Sequence, residues 1–234
     1  MRNITFIFFL STLISCISSP YESDALIIDE TTEEYELYDY YVDKYGNEGI
    51  VAYISKGRYI LVISADETYL PWGPLGEQLY VISDSVKHPS LVYGDEQFGI
   101  AMLNIMLEKG IEKYPAMNWC YKKDSAATSP YGGSWHLPSN SDFYYITQYS
   151  EYKKLNKALT DIGGTPLNEY NFYWTCCEDY TDYITIKGQE SDYDAENRAV
   201  ILTPQKTTSG VKDRWLKKNS YYVRAVKYIY YETY

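Results

Sequence analysis

The stretch Gly132-Gly133-Ser134-Trp135-His136-Leu137-Pro138-Ser139 decides the fold reading. In an extended segment residues two apart face the same side, so Trp135 and Leu137 present an aromatic and an aliphatic side chain together. Pro138 has no N–H to give a β-ladder and stops the strand. Ser139 then supplies a hydroxyl cap, and with Asp142 three residues on it makes a capping box that opens a helix through Phe143 and Ile146. After a break near Ser150, the residues Tyr152, Leu155, Ala158, Leu159 and Ile162 form a second helical stripe, ended by Gly163-Gly164.

Working outward, the runs 49–55 and 58–64 flank Lys56-Gly57 and predict a hairpin with a two-residue turn. The second run is apolar on both faces and predicts a central strand. Residues 66–93, rich in Pro and Gly, predict mostly loop. A helix follows over 95–109, with Phe98, Ala101, Met102, Ile105 and Met106 on one stripe and Gly110 as its cap. Its methionines read as core filler. Downstream, strands are predicted near 171–175, 180–187, 197–203 and 220–229, with polar, charged loops at 188–196 and 204–219. The pattern is that of an α+β domain of short strands and two main helical regions, extending over 38–234.

Five segments in order carry a family resemblance: Tyr114-Pro115-Ala116-Met117-Asn118-Trp119-Cys120, the Trp135 stretch, Gly163-Gly164-Thr165, Tyr173-Trp174-Thr175, and Tyr222-Val223-Arg224-Ala225-Val226. Together they resemble the Lcl C-terminal family, a C-type-lectin-like module of bacterial surface proteins and lipoproteins, over roughly residues 94–228. The resemblance implies a C-type-lectin-like fold in which Trp135, Leu137, Pro138, Trp174 and Arg224 are structural. The chain departs from the family pattern in four places. His136 stands where Tyr or Arg is usual, Cys176-Cys177 replaces a Ser pair, Asp142 stands for the usual Glu, and the polar stretch from Lys187 to Lys218 is expanded.

The amino terminus reads as an export signal. Arg2 precedes an apolar run from Ile4 to Ile14, too short to cross ~30 Å of hydrocarbon as a helix. Leu13-Ile14-Ser15-Cys16 looks like a bacterial lipobox, which predicts cleavage after residue 15 and diacylation of Cys16; the alternative is a plain signal peptide cut after Ser15 or Ser18. Two or three acyl chains, each worth about 0.8 kcal/mol per buried methylene, would hold the domain on a membrane. Ile17 after the cysteine is compatible with an outer-membrane destination. The acidic run from Glu22 to Asp39 has no Lys or Arg beside it before Lys44, and residues 16–37 predict a solvated tether; an acidic docking motif is the alternative.

Charge and composition narrow the function. With 21 basic against 32 acidic residues, a net charge of −11 argues against nucleic acid as a partner. Tyrosine supplies 29 of the aromatic residues against 6 Phe and 5 Trp, which suits both binding surfaces and a β-rich core with wet edges. The resemblance implies recognition rather than catalysis, with contacts in long loops. There Tyr180, Tyr183, Tyr193, Arg214 and Trp215 are the candidate ligand-binding residues for a glycan or surface protein, the alternative being ordinary solvated loop. A structural role, as adhesin tip or fimbrial assembly component, is the second reading.

An enzyme of the copper-dependent formylglycine-generating kind, which has a similar Gly-x-x-Trp-x-Leu-Pro-Thr string, is the third. Copper(I) needs two converging thiolates, and Cys176 and Cys177, adjacent on a strand, are predicted to face opposite ways, leaving Cys120 as a possible second ligand. A Cys120 disulfide to the pair and buried free thiols are both compatible with the count. No cofactor or metal is predicted. His88 and His136 lack ligand spacing, Asp192 and Asp194 do not make a calcium site, and neither Gly-x-Ser-x-Gly nor HExxH occurs.

Overall fold

The apolar runs on either side of Lys56-Gly57 form a hairpin, β2 (Glu48–Ser55) with β3 (Tyr59–Ser64), in a computed structural model that describes residues 35–79, 98–124, 134–147, 149–178, 195–204 and 212–230. Gly57 takes φ +71° and Arg58 N–H donates to the Ser55 carbonyl at 2.9 Å. Lys56 and Gly57 are therefore the central turn residues. The ladder resumes with Ser55 opposite Tyr59, so the connection is three residues long rather than two. β1 (Tyr40–Val42) and β9 (Val226–Tyr230) complete an antiparallel sheet in the order β1-β2-β3-β9. All of β3 is buried, as its two apolar faces predict. Tyr35 already packs on Tyr41, ring centroids 6.1 Å apart, so the fold takes up the chain slightly before the predicted end of the tether.

A second, mixed sheet has the order β4-β8-β5-β6-β7, from β4 (Thr68–Pro71), β5 (Tyr173–Glu178), β6 (Arg198–Leu202), β7 (Lys212–Leu216) and β8 (Ser220–Val223). Two of these strands correct the sequence reading, which placed loop at 66–93 and 204–219. Both are edge strands. Pro71 can end β4 because an edge N–H needs no partner, and the Lys-Asp-Arg of β7 is the charge that edges tolerate. The predicted strand 180–187 lies outside the described residues.

The helices are α1 (Phe98–Lys109), α2 (Pro115–Tyr121), α3 (Asn140–Ile146) and α4 (Tyr149–Asp161), with a 3-10 turn at Ile111–Lys113 between the first two. α1 buries Phe98, Gly99, Met102, Leu103 and Met106, while Ala101 is exposed, so its inner stripe is turned from the predicted one. The turn has a steric cause, since a Cβ on Gly99 would land on the His136 ring. α2 was not foreseen. α3 carries the predicted capping box in both directions: Asp142 N–H donates to Ser139 Oγ at 3.1 Å and Ser139 N–H to Asp142 Oδ2 at 2.8 Å. In α4, Leu155 and Leu159 enter the core, as its stripe predicts.

The chain passes between the sheets at two corners, Ala65–Glu67 and Arg224-Ala225. Arg224 clamps both. Its Nη1 donates to the carbonyls of Ser64 and Ala65 at 2.9 and 3.1 Å, and its Nη2 to Glu67 Oε2 at 2.5 Å and to the Thr165 carbonyl at 2.8 Å. The motif pieces Gly163-Gly164-Thr165 and Val223-Arg224-Ala225 thus meet at one buried guanidinium.

Trp135 is fully buried, its Nε1 donating to Asp43 Oδ2 at 2.9 Å and its N–H to Asp124 Oδ2 at 2.9 Å. Lys227 Nζ stands 3.6 Å from Asp43 and 3.5 Å from Asp124, balancing the two carboxylates. Burial alone would raise the Asp43 pKa, but the bonds from Trp135 and Asn47, with Lys227 beside them, hold it below the ordinary value. Gly49 admits the Trp135 indole, since a Cβ there would stand 2.7 Å from Val62 Cγ1 and 3.2 Å from the indole edge. Leu137 and Trp174 are fully buried, and Pro138 ends the extended segment and accepts from Cys176 N–H at 2.8 Å. The architecture is α+β, with helices and two sheets around one core.

Candidate recognition face

Alternation along the strands of the five-stranded sheet sorts its aromatic residues. Tyr173 lies opposite Tyr222 in the parallel β5–β8 pair, and Tyr69 opposite Tyr222 in β4–β8, so these three share one face. Tyr173 meets Phe143 of α3 at 5.6 Å, which makes this the helix side. The other face carries Phe172, Trp174 and Tyr221. Ala199 pairs with Trp215 across β6–β7, which places Trp215 on that same outer side.

The outer rings form a continuous row. Tyr221 stands edge-on to Trp174 at 5.0 Å, to Phe172 at 6.1 Å and to Trp215 at 5.9 Å. Trp174 is the buried floor, its Nε1 donating to the Leu70 carbonyl at 3.0 Å. Tyr221 and Phe172 are half-buried, and Trp215 is 40% exposed. Edge-to-face contacts of this kind fix ring orientation, and Trp215 is the most exposed ring of the row.

Beneath the β7–β8 turn a buried charge pair sets the geometry. Lys217 Nζ donates to Glu178 Oε1 and, at 2.6 Å, to the Glu77 carbonyl, and lies 4.9 Å over the Trp72 ring. Glu178 Oε2 accepts Leu79 N–H at 2.8 Å. Trp72, fully buried, donates through Nε1 to the Thr175 carbonyl at 2.9 Å, and its own N–H donates to the Lys217 carbonyl at 2.9 Å. The turn that aims Trp215 and Tyr221 is thereby tied to β5 and to the loop after β4.

Of the five binding candidates read from the sequence, Tyr180, Tyr183 and Tyr193 lie outside the described residues, as does the predicted lipidation site Cys16. Arg214 and Trp215 are on strand β7, not on a loop. As neighbours on a strand they point to opposite faces, so the outer row receives Trp215 but not Arg214, whose carbonyl accepts from Arg198 Nη1 at 3.2 Å. Tyr221 and Phe172 were missed. The only sequence signal for Tyr221 was its place one residue before the Tyr222–Val226 motif segment, and alternation from Trp174 points to Phe172.

Two of the cysteines lie at an irregularity in the ladder. The β5–β6 register jumps between Trp174 opposite Ile201 and Glu178 opposite Ala199, a bulge that takes in both Cys176 and Cys177. At this irregularity Cys177 N–H donates to Thr175 Oγ1 at 3.2 Å, and both thiols are fully buried. Cys120, Cys176 and Cys177 are all buried free thiols, and burial pushes the Cys120 and Cys176 pKa values up, with the Cys177 contact adding to the second. Such thiols stay protonated and unreactive. Among the described residues no group of three or more His, Cys, Asp or Glu is placed to hold a metal ion.

No protein-family model matches the chain, and no curated protein does. Among solved structures it is similar to a fimbrial protein from Bacteroides ovatus ATCC 8483, with a TM-score of 0.59 at 15% sequence identity. The match covers 83% of this chain and 49% of the fimbrial protein, so the chain spans about half the length of that neighbour. At that identity the likeness is one of fold.

Proposed function

We propose that the protein is a cell-envelope lipoprotein, anchored through Cys16 and directed to the outer membrane, whose α+β domain acts by recognition and without catalysis. The observation that carries this reading is the Trp215–Tyr221–Phe172 row, floored by Trp174 and held by the Lys217–Glu178 pair. Rigid rings with exposed faces stack on the C–H surfaces of sugars and on apolar protein patches at little entropic cost. A glycan or polysaccharide of the cell surface is the first ligand class.

A C-type-lectin-like framework of the Lcl C-terminal kind belongs to this reading. Its support is that the resembling residues Trp135, Leu137, Trp174 and Arg224 do structural work in the interior. The second reading, an adhesin or fimbrial assembly component that binds protein, is favoured by the likeness to the fimbrial protein.

A glycan array set beside a pull-down from whole envelopes separates the two. Sugar hits without a protein partner support the first, and a protein partner without sugar hits supports the second. Anchoring is checked by fractionation: Cys16→Ser is expected to move the protein from the membrane to the soluble fraction, and retention of that variant on membranes would contradict the lipid anchor.

A further inference from the structure

A second aromatic cluster, on the first sheet, has no part in the recognition row. Tyr53 of β2 stacks on Tyr145 of α3, ring centroids 4.5 Å apart and planes 15° from parallel. Tyr145 is 38% exposed and its neighbour Tyr144, 5.9 Å away, is 49% exposed. Inward, Tyr53 meets Tyr59 at 6.2 Å, and Tyr59 meets Tyr228 at 5.0 Å and Tyr230 at 5.9 Å. Tyr228 is buried and donates its hydroxyl to Asp142.

Stacking alone does not call for hydroxyl groups, since paired Phe rings pack as well. Phenols add one-electron chemistry. Loss of an electron and the phenolic proton gives a phenoxyl radical with spin on the ring carbons beside the oxygen. Two such rings held face to face meet at a high effective concentration, which favours coupling within the chain over coupling between chains.

We propose that Tyr53 and Tyr145 are an oxidative cross-linking site, closing to an intramolecular dityrosine that staples α3 to β2 when the protein meets a peroxidase-class oxidant with hydrogen peroxide. Each phenol loses one electron and one proton. The two radicals form a single carbon–carbon bond between positions ortho to the hydroxyls, and the hydrogens on those carbons move to the oxygens as the rings regain aromaticity. The two electrons and two protons reduce one hydrogen peroxide to two waters. The tie does not depend on what the Trp215 face binds.

The test treats the full chain with a haem peroxidase and one equivalent of hydrogen peroxide. The monomer is expected to lose two hydrogens in mass and gain dityrosine fluorescence, with fragment ions joining Tyr53 to Tyr145. Tyr145→Phe and Tyr53→Phe keep both rings, and so the stack and fold, and each is expected to abolish the product. A product that maps to another pair, forms only between chains, or survives in either variant overturns the proposal.

Discussion

At Arg224 one guanidinium holds three chain segments: the Ser64–Glu67 corner, its own corner, and Thr165 after α4. Lysine has one donor centre and cannot reproduce the fork. Arg224→Met removes all four of these hydrogen bonds and the positive charge beside the Glu67 carboxylate, and urea unfolding is expected to show a loss of about 3 kcal/mol or more. Arg224→Lys should recover only part of it. His136 sets a pH limit by a different route. It is fully buried, stacks on Tyr228 at 5.6 Å, and uses Nδ1 on the Ser134 carbonyl at 2.8 Å, while Nε2 has no partner. Burial holds its pKa below the ordinary 6.5. As pH falls through that value the unfolded chain takes up a proton that the folded one does not, so stability present at neutral pH is lost on the acid side. Thermal melts from pH 7.5 to 5 should show Tm falling with pH, and His136→Gln should flatten that slope. An unchanged slope would mean that other groups carry it.

Single elements show where the sequence could be read and where it could not. The hairpin, α1 and the α3 cap were legible because their signals are local: Gly57 at a turn, Met102 and Met106 at helical spacing, Ser139 three residues before Asp142. Ser139→Ala should cost about 0.5–2 kcal/mol through loss of the cap. Gly99→Ala should cost about 1–3 kcal/mol, because its Cβ meets the His136 ring and the core must give way. Both are measured by chemical denaturation. α2 escaped notice because seven residues are too few to show a period, and β4 because Pro71 and its neighbours spell loop. β7 was misread since an edge strand carries the charges that a loop also carries. For the candidate face, Trp215 was legible as an aromatic among charges. Its partners Tyr221 and Phe172 come from other strands, and no local pattern brings them together. The β5–β6 register shift that takes in Cys176 and Cys177 has no sequence signature at all.

For the molecule as a whole, the two sheets are joined by short corners, and the candidate face depends on how the second sheet is tied down. The Lys217–Glu178 pair, with side chains 0% and 1% exposed, sits where β5, the β7–β8 turn and the Trp72 loop meet. Lys217→Met strands a buried carboxylate and should destabilise by about 3–5 kcal/mol, while Lys217→Met with Glu178→Leu should recover much of that. The ion pair is then a device for placement more than for stability. If so, the double variant folds but presents Trp215 and Tyr221 less well. The most direct measurement is a calorimetric titration of the best array ligand into the wild-type protein and Trp215→Ala, with Tm measured on both. The account predicts at least a tenfold loss of affinity, about 1.4 kcal/mol, at nearly unchanged Tm. Equal affinity for the two proteins would contradict it.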